Sequence, residues 1–332
     1  MKIHALKVRI FAMALAIFAI TACSNEKLPK YTVLQGLRVL TMVADSPEVQ
    51  FNGATFTPAT VSITPVISDL YGAGRALSYN LQVCLDLGIA LGATPNCENN
   101  PTKTSLISGA TVASTGASTF NSPNFSGTVD ADTFNLNTAP SASALAAIAA
   151  KFSSVAAYQQ FNGLSLIVYY EVYPTADESQ KVRAFKRIVF SSAAKAVKNA
   201  NPTTLNILDE SGGAVSSLPS VETKMKTSVG VGDAETYTIM DDENNTSSKT
   251  ESIETTWFLT GPEVIADSKD KDLTPDGLFL FTRTFVGELN TFYAPQVAIP
   301  TARGRVFIGV ARDDRGGSVV TRFCTGAGAL CP

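Results

Sequence analysis

Histidine is almost missing from this chain: of 332 residues, His4 is the only one. Everything downstream of it is built without imidazole, which excludes Ser-His-Asp and Cys-His catalysis and the His-bearing zinc sites there. Charge is sparse as well, at 17 % of residues, with 26 Lys and Arg against 29 Asp and Glu. Three of those bases, Lys2, Lys7 and Arg9, crowd the amino terminus, so the rest is more acidic still and offers no footprint for nucleic acid. Ser, Thr, Val, Ala and Asn fill the space that charge leaves, a composition that suits a β protein with polar, uncharged loops.

The amino terminus has a basic stretch with no acid before Glu26, then the uncharged apolar run Ile10–Ile20. A helix needs about 20 apolar residues to span a bilayer, so this run is too short, but it has the length of a signal-peptide core. Ile20-Thr21-Ala22-Cys23 comes next and resembles the bacterial lipobox: an aliphatic residue, a variable one, a small one, then cysteine. The resemblance implies removal of residues 1–22, a diacylglyceryl group on the Cys23 thiol and acylation of its new amino group. Two or three acyl chains hold a protein firmly where one holds it marginally. Ser24, in place of aspartate, implies sorting to the outer membrane, facing the periplasm or the exterior. The alternatives are an ordinary secretory signal with a chance cysteine and an uncleaved anchor helix.

Cys84, Cys97, Cys324 and Cys331 remain. In an oxidising envelope an even number reads as disulfides, and three pairings are open. Short local loops rich in Gly, Pro or Asn favour Cys84–Cys97 and Cys324–Cys331. The rival is a bridge from the C-terminal tail to the first domain. No basic residue stands beside these cysteines in sequence to activate a free thiol. Their spacings match no zinc knuckle.

Beyond a polar tether at 23–34, period-two alternation bounded by Gly, Pro, Asn and Asp marks strands at Leu37–Ala44, Ala59–Ile67 and Leu77–Leu85. Residues 86–138 read as a loop-heavy insertion with short strands near Thr104–Ile107 and Gly127–Phe134. One helix is expected at about 141–160: Pro140-Ser141 suits a start, and Leu145, Ile148, Phe152 and Val155 share a face. Asn162-Gly163 ends it, and its apolar face is expected to cover its own sheet rather than a partner. A hairpin follows, Leu164–Pro174 and Gln180–Ser191. Its first strand puts Leu166, Val168, Tyr170 and Val172 on one face and Ile167, Tyr169 and Tyr173 on the other. Lys181, Arg183 and Arg187 on the second read as charges that keep an edge strand from pairing, the alternative being a patch for an acidic polymer. From Asn201 onward, strands at Thr203–Leu208, Ala234–Met240, Ser252–Leu259, Leu278–Val286, Arg305–Ala311 and Ser318–Phe323, with no helix between them, argue for an antiparallel sandwich.

Within Glu254–Phe323, Trp257 stands mid-strand. Phe292-Tyr293-Ala294-Pro295, the strand Gly304–Asp313 and the turn Asp314-Arg315-Gly316-Gly317 follow. This order resembles the immunoglobulin-like modules of bacterial surface proteins, including the polycystic-kidney-disease type, over about a fifth of the chain. The Gly-Asp-Gly segment usual after the tryptophan is absent. The resemblance implies that Trp257 is buried against an opposite sheet.

Candidate chemistry is thin. The run Arg312–Gly317 reads as a hairpin turn whose glycines supply positive φ and whose charges pair locally or face water. Asp267, Asp270, Asp272 and Asp276 have the spacing of a weak calcium site, opposed by Lys269 and Lys271 and lacking the EF-hand order. Asp241–Asn245 reads as a solvated acidic turn. The expected whole is a mainly β protein of tandem immunoglobulin-like antiparallel sandwiches. Its parts are a signal at 1–22, a lipidated tether at 23–34, an elaborated sandwich with the helix at 35–200 and a second sandwich at 201–332. It is expected to be a lipid-anchored, non-enzymatic binding, adhesion or structural module of the cell envelope, with a protein or glycan partner and no cofactor beyond that calcium. The alternative is an envelope glycan hydrolase using paired carboxylates.

Overall fold

The computed structural model describes residues 33–34, 37–52, 56–57, 60–69, 75–88, 95–113, 133–135, 142–217, 223–260, 278–279, 283–293 and 305–325. Leu34–Pro332 forms one compact unit. In chain order, β1 (Arg38–Ala44), β2 (Glu48–Phe51), β3 (Thr60–Ser68), β4 (Ala76–Leu85) and β5 (Thr104–Ala113) precede helices α1 (Ala142–Ser154) and α2 (Ala157–Asn162). Then come β6 (Leu164–Pro174), β7 (Val182–Ser192), β8 (Leu205–Asp209), β9 (Thr223–Val229), β10 (Thr236–Met240) and β11 (Thr246–Thr250). The series closes with β12 (Ile253–Thr260), β13 (Arg283–Phe285), β14 (Asn290–Tyr293), β15 (Arg305–Asp313) and β16 (Ser318–Thr325). The protein is mainly β, as its alternating sequence implies.

One sheet runs β2–β7–β6–β4–β5 and another pairs β1 with β3. A third runs β12–β15–β16 with β13 also on β12, a fourth runs β8–β9–β14, and β10 and β11 form a hairpin of their own. Among the strands given ranges here, the pairing is antiparallel except that Val189–Ser192 of β7 lies parallel to Glu48–Phe51 of β2.

The main core is the closure of the first sheet on β1 and β3. Leu166, Val168, Tyr170 and Val172 from β6, and Leu77, Tyr79, Leu81 and Val83 from β4, meet Met42, Ala44, Val61 and Ile63. Burying each such side chain contributes roughly 1.5–3 kcal/mol. Leu40 and Val66 point the other way, onto Phe258, Ile308 and Val310 of the third sheet. β1 is therefore covered on both faces, which is why its sequence alternates only in part. The third sheet in turn packs Ile253 and Ala311 onto Leu205. These contacts cross residue 200 and join the segments on either side into one body.

The expected single helix is two. Ile148 and Phe152 of α1 enter the core, with Phe152 edge-on to Phe51 at 5.2 Å between centroids. At the end of α1 the Ser153 hydroxyl donates to the Ala149 carbonyl and the Ser154 hydroxyl to the Lys151 carbonyl, bonds that compete with the helix ladder. Ala156 is extended, and the Gln159 side chain accepts from its amide to start α2. Asn162-Gly163 ends α2 as expected, with Gly163 at φ 104°.

β7 is also not an edge strand, since β6 flanks it along one side and β2 along Val189–Ser192 of the other. Arg183 and Arg187 lie on its outer face in ion pairs with Glu171 (2.9 Å) and Asp86 (2.7 Å). That same face carries Ile167 and Tyr169, which the Cys84–Cys97 disulfide loop covers. The double replacement Cys84→Ser and Cys97→Ser is expected to cost about 3 kcal/mol through the reopened loop. Urea unfolding of the oxidised parent against the variant measures it; equal midpoints would show that the bridge adds no stability. Cys331 and the Cys324 side chain lie outside the described residues.

Candidate functional site

Charge is scarce in this chain, yet it gathers at one place: the meeting of β2, the stretch after β7, the start of β10 and the β15–β16 turn. Arg315 is the centre. The sequence of the turn implies charges that pair locally or face water; instead the Arg315 side chain is only 8 % exposed. Its Nη2 donates to Glu48 Oε2 at 2.6 Å and to the Val197 carbonyl at 3.2 Å. Its Nη1 donates to Glu251 Oε1 at 3.0 Å and Glu235 Oε2 at 3.3 Å. The guanidinium lies 4.2 Å from the centroid of the Tyr237 ring, a cation–π contact.

The turn aims inward because Asp313 turns with it. Its Oδ1 accepts from the Arg315 amide (2.9 Å), the Gly317 amide (2.7 Å) and the Asn199 side chain (3.3 Å). A Cβ on Gly317 would stand 2.1 Å from Asp313 Oδ2 and 2.7 Å from the Ala200 carbonyl, so this glycine is required by close approach. Sequence reasoning assigned the glycines to turn geometry; the close approach needs the neighbouring chain to be seen.

Glu48, missed in the sequence because β2 is a short strand with one acid in it, is the most fully supported carboxylate here. Oε1 accepts from Ser191 Oγ (2.5 Å) and Lys195 Nζ (2.8 Å), and Oε2 from the Asn199 amide (2.7 Å) besides Arg315. Burial alone would raise its pKa, but the Lys195 charge and these hydrogen bonds outweigh it and hold the carboxyl below its ordinary value. Glu251 is different. Burial, with the charges of Asp313 and Glu235, pushes it up to about 7 against the pull of the Glu235 amide and Arg315. Glu235 is raised too, by burial first.

Further contacts lock the same region. Lys186 of β7 is buried and donates to the Gly316 carbonyl and to Ser318 Oγ; burial holds its pKa down to about 8. Arg312 donates to the Leu40 carbonyl (2.7 Å) and Asn201 to the Ala44 carbonyl (2.6 Å). Asn162 exchanges two hydrogen bonds with the Met240 backbone, pinning the β10–β11 hairpin to the end of α2. Lys195 and Asn199 are both buried here, so the 193–201 stretch is anchored rather than a swinging link.

Pockets open at two places on the described surface. One of about 260 Å³ opens beside the cluster, lined by Asn162, Arg187, Lys195, Tyr237 and Arg315 among others. The other, about 350 Å³, lies beside the disulfide loop between Asn96, Glu98, Tyr169, Arg183 and Phe185. The acidic turn Asp241–Asn245 is exposed as expected, its Asp241 carboxylate accepting from the Glu243 and Asn245 amides. Asp267, Asp270, Asp272 and Asp276 lie outside the described residues, as does Cys23. Among the described residues, no group of three or more His, Cys, Asp or Glu is placed to hold a metal ion.

No family model matches the chain, and no curated protein matches it. Among solved structures, the Salmonella alpha-2-macroglobulin reacted with methylamine aligns with 86 % of this chain at 11 % identity and a TM-score of 0.20. The chain covers 16 % of that protein's length, and a superposition of that quality carries no argument about fold or activity.

Proposed function

We propose that this chain is a lipid-anchored protein of the cell envelope whose β unit serves as a rigid, non-enzymatic module for binding or for structural support. One observation carries the reading: among the described residues, the group of ionisable side chains around Arg315 acts as an internal cross-link. Arg315 joins the β15–β16 turn to Glu48, Glu235 and Glu251, and the Glu251 side chain is 0 % exposed. A glycan hydrolase would need two acids facing an open cleft. Here the raised carboxylates, Glu235 and Glu251, answer a guanidinium instead. The frame so stiffened leaves surface loops to carry recognition. The immunoglobulin-like resemblance over Glu254–Phe323 belongs to the same reading, supported by Trp257 buried mid-strand.

The anchor is tested by growing cells with an alkyne fatty acid. The parent is expected to take up the label and partition into detergent, and Cys23→Ser to lose both; a labelled Cys23→Ser protein would rule out this attachment. Protease treatment of intact cells, with a periplasmic control, then separates an outward-facing module from a periplasmic one.

A further inference from the structure

The charges that meet at Arg315 do not balance. Glu48, Glu235, Glu251 and Asp313 bring four carboxylates, while Lys195 and Arg315 bring two cations. The neighbouring cations make their contacts with other groups, although Lys186 also feels the charge of Asp313. From β7, Lys186 reaches the Gly316 carbonyl and Arg187 pairs with Asp86. From β15, Arg312 reaches Thr256 and the Leu40 carbonyl, and from β11, Lys249 pairs with Asp314 at the rim beside Tyr237.

Nor are the four carboxylates equally supported. Glu48 has a donor at every turn, and Asp313 has three on one oxygen. Glu251 has one donor on each oxygen, Arg315 Nη1 and the Glu235 amide. Glu235 shares that same Nη1 and otherwise accepts only a long bond from the Ala200 amide at 3.4 Å. A single guanidinium nitrogen therefore faces two carboxylates, one of them fully enclosed. Two acids so placed titrate as a pair, and one ionises only at a cost.

We propose that this junction is a proton-linked clamp, in which Glu235 and Glu251 hold one proton between them and its release as pH rises sets two neighbouring carboxylates against each other and loosens the hold of the β15–β16 turn on the segments that lead into β10 and β12. The proton sits on Glu251, which burial pushes to about 7, well above the ordinary carboxylate value of 4.5. A raised folded value means that the folded state holds a proton the unfolded chain has already lost. Its stabilisation is full below the unfolded value and disappears as pH rises through about 7. Glu48, held low by the Lys195 charge and its hydrogen bonds, takes no part in that proton release.

The test uses the full lipidated chain in detergent micelles, unfolded with urea at pH 5.5, 6.5, 7.5 and 8.5. The parent's midpoint is expected to fall across the series more steeply than that of Glu251→Gln, which keeps the acceptor but cannot ionise. Hydrogen exchange of the Arg315 and Gly317 amides, corrected for intrinsic rate, is expected to rise over the same range in the parent alone. Glu235→Gln removes the neighbouring charge and is expected to move the parent's transition to lower pH, so the idea stays testable if Glu251→Gln folds poorly. Equal slopes in parent and Glu251→Gln, an unmoved transition in Glu235→Gln, or turn amides whose protection ignores pH would each overturn the clamp.

Discussion

Arg315→Ala is expected to lower the unfolding free energy by about 3–5 kcal/mol, the usual cost of stripping one partner from a buried ionic group. The loss is not that of one salt bridge. Glu48 keeps Lys195, Ser191 and the Asn199 amide, but Glu251 and Glu235 lose their common cation while remaining in the same enclosed space. Tyr237 also loses the guanidinium stacked on its ring. Arg315→Lys is expected to recover only part, because a single ammonium cannot address Glu48 through one nitrogen and the Glu235–Glu251 pair through another. Arg315→Met, similar in length and uncharged, separates packing from charge. Urea unfolding at fixed pH measures all three. Salt adds a check: exposed pairs such as Lys224–Glu210 weaken in 1 M salt, whereas the Arg315 effect is expected to weaken less because its side chain is only 8 % exposed and buried pairs are screened less. A loss under 1 kcal/mol would reduce Arg315 to an ordinary surface ion pair.

Trp257→Ala is expected to cost a similar amount, about 3–5 kcal/mol, through the cavity left by the largest of the fully buried side chains. Trp257 is 1 % exposed and its indole nitrogen donates to Thr284 Oγ1 at 3.3 Å, so the replacement also strips a partner from a buried hydroxyl. Its cross-strand partner is Gly309, where an added Cβ would come within 3.2 Å of Leu205. The large side chain and the small one thus face each other across the ladder where β8 approaches. Trp257→Phe, which keeps an aromatic ring but loses the hydrogen bond, is expected to lose less. Tryptophan fluorescence cannot follow these variants, since the chain has no second tryptophan; far-ultraviolet circular dichroism with urea gives the midpoint. An unchanged midpoint in Trp257→Ala would mean that the third and fourth sheets do not rely on this side chain.

Strands with one buried and one open face were legible, because alternation is written in the residues themselves. Leu164–Pro174 matched to the residue, and Leu166, Val168, Tyr170 and Val172 do line the core. β11 was not legible: Thr246-Ser-Ser-Lys-Thr250 is exposed throughout, has no apolar period and exists by pairing with β10. β9 hides because, of its two buried residues, Met225 and Thr227, one is polar and lysines stand on either side of the other. The site was less legible still. Arg315 and Asp313 belong to a run whose sequence reads as a hairpin turn, and Glu48, Lys195, Asn199, Glu235 and Glu251 are spread over some 200 positions, with no local signal to join them.

Composition and alternation therefore determined the class of the protein, a β architecture in a chain whose sole histidine is His4, and local spacing favoured, among three open pairings, the Cys84–Cys97 loop that the structure shows. These are local properties, set by what each residue and its near neighbours can do. Which way the charges of the Arg312–Gly317 turn would point was decided only by tertiary structure. A turn of Asp, Arg and Gly is equally content in water, and what draws Arg315 inward is a set of acids on β2, before β10 and before β12. Their combined donors and acceptors become available only once the sheets have stacked.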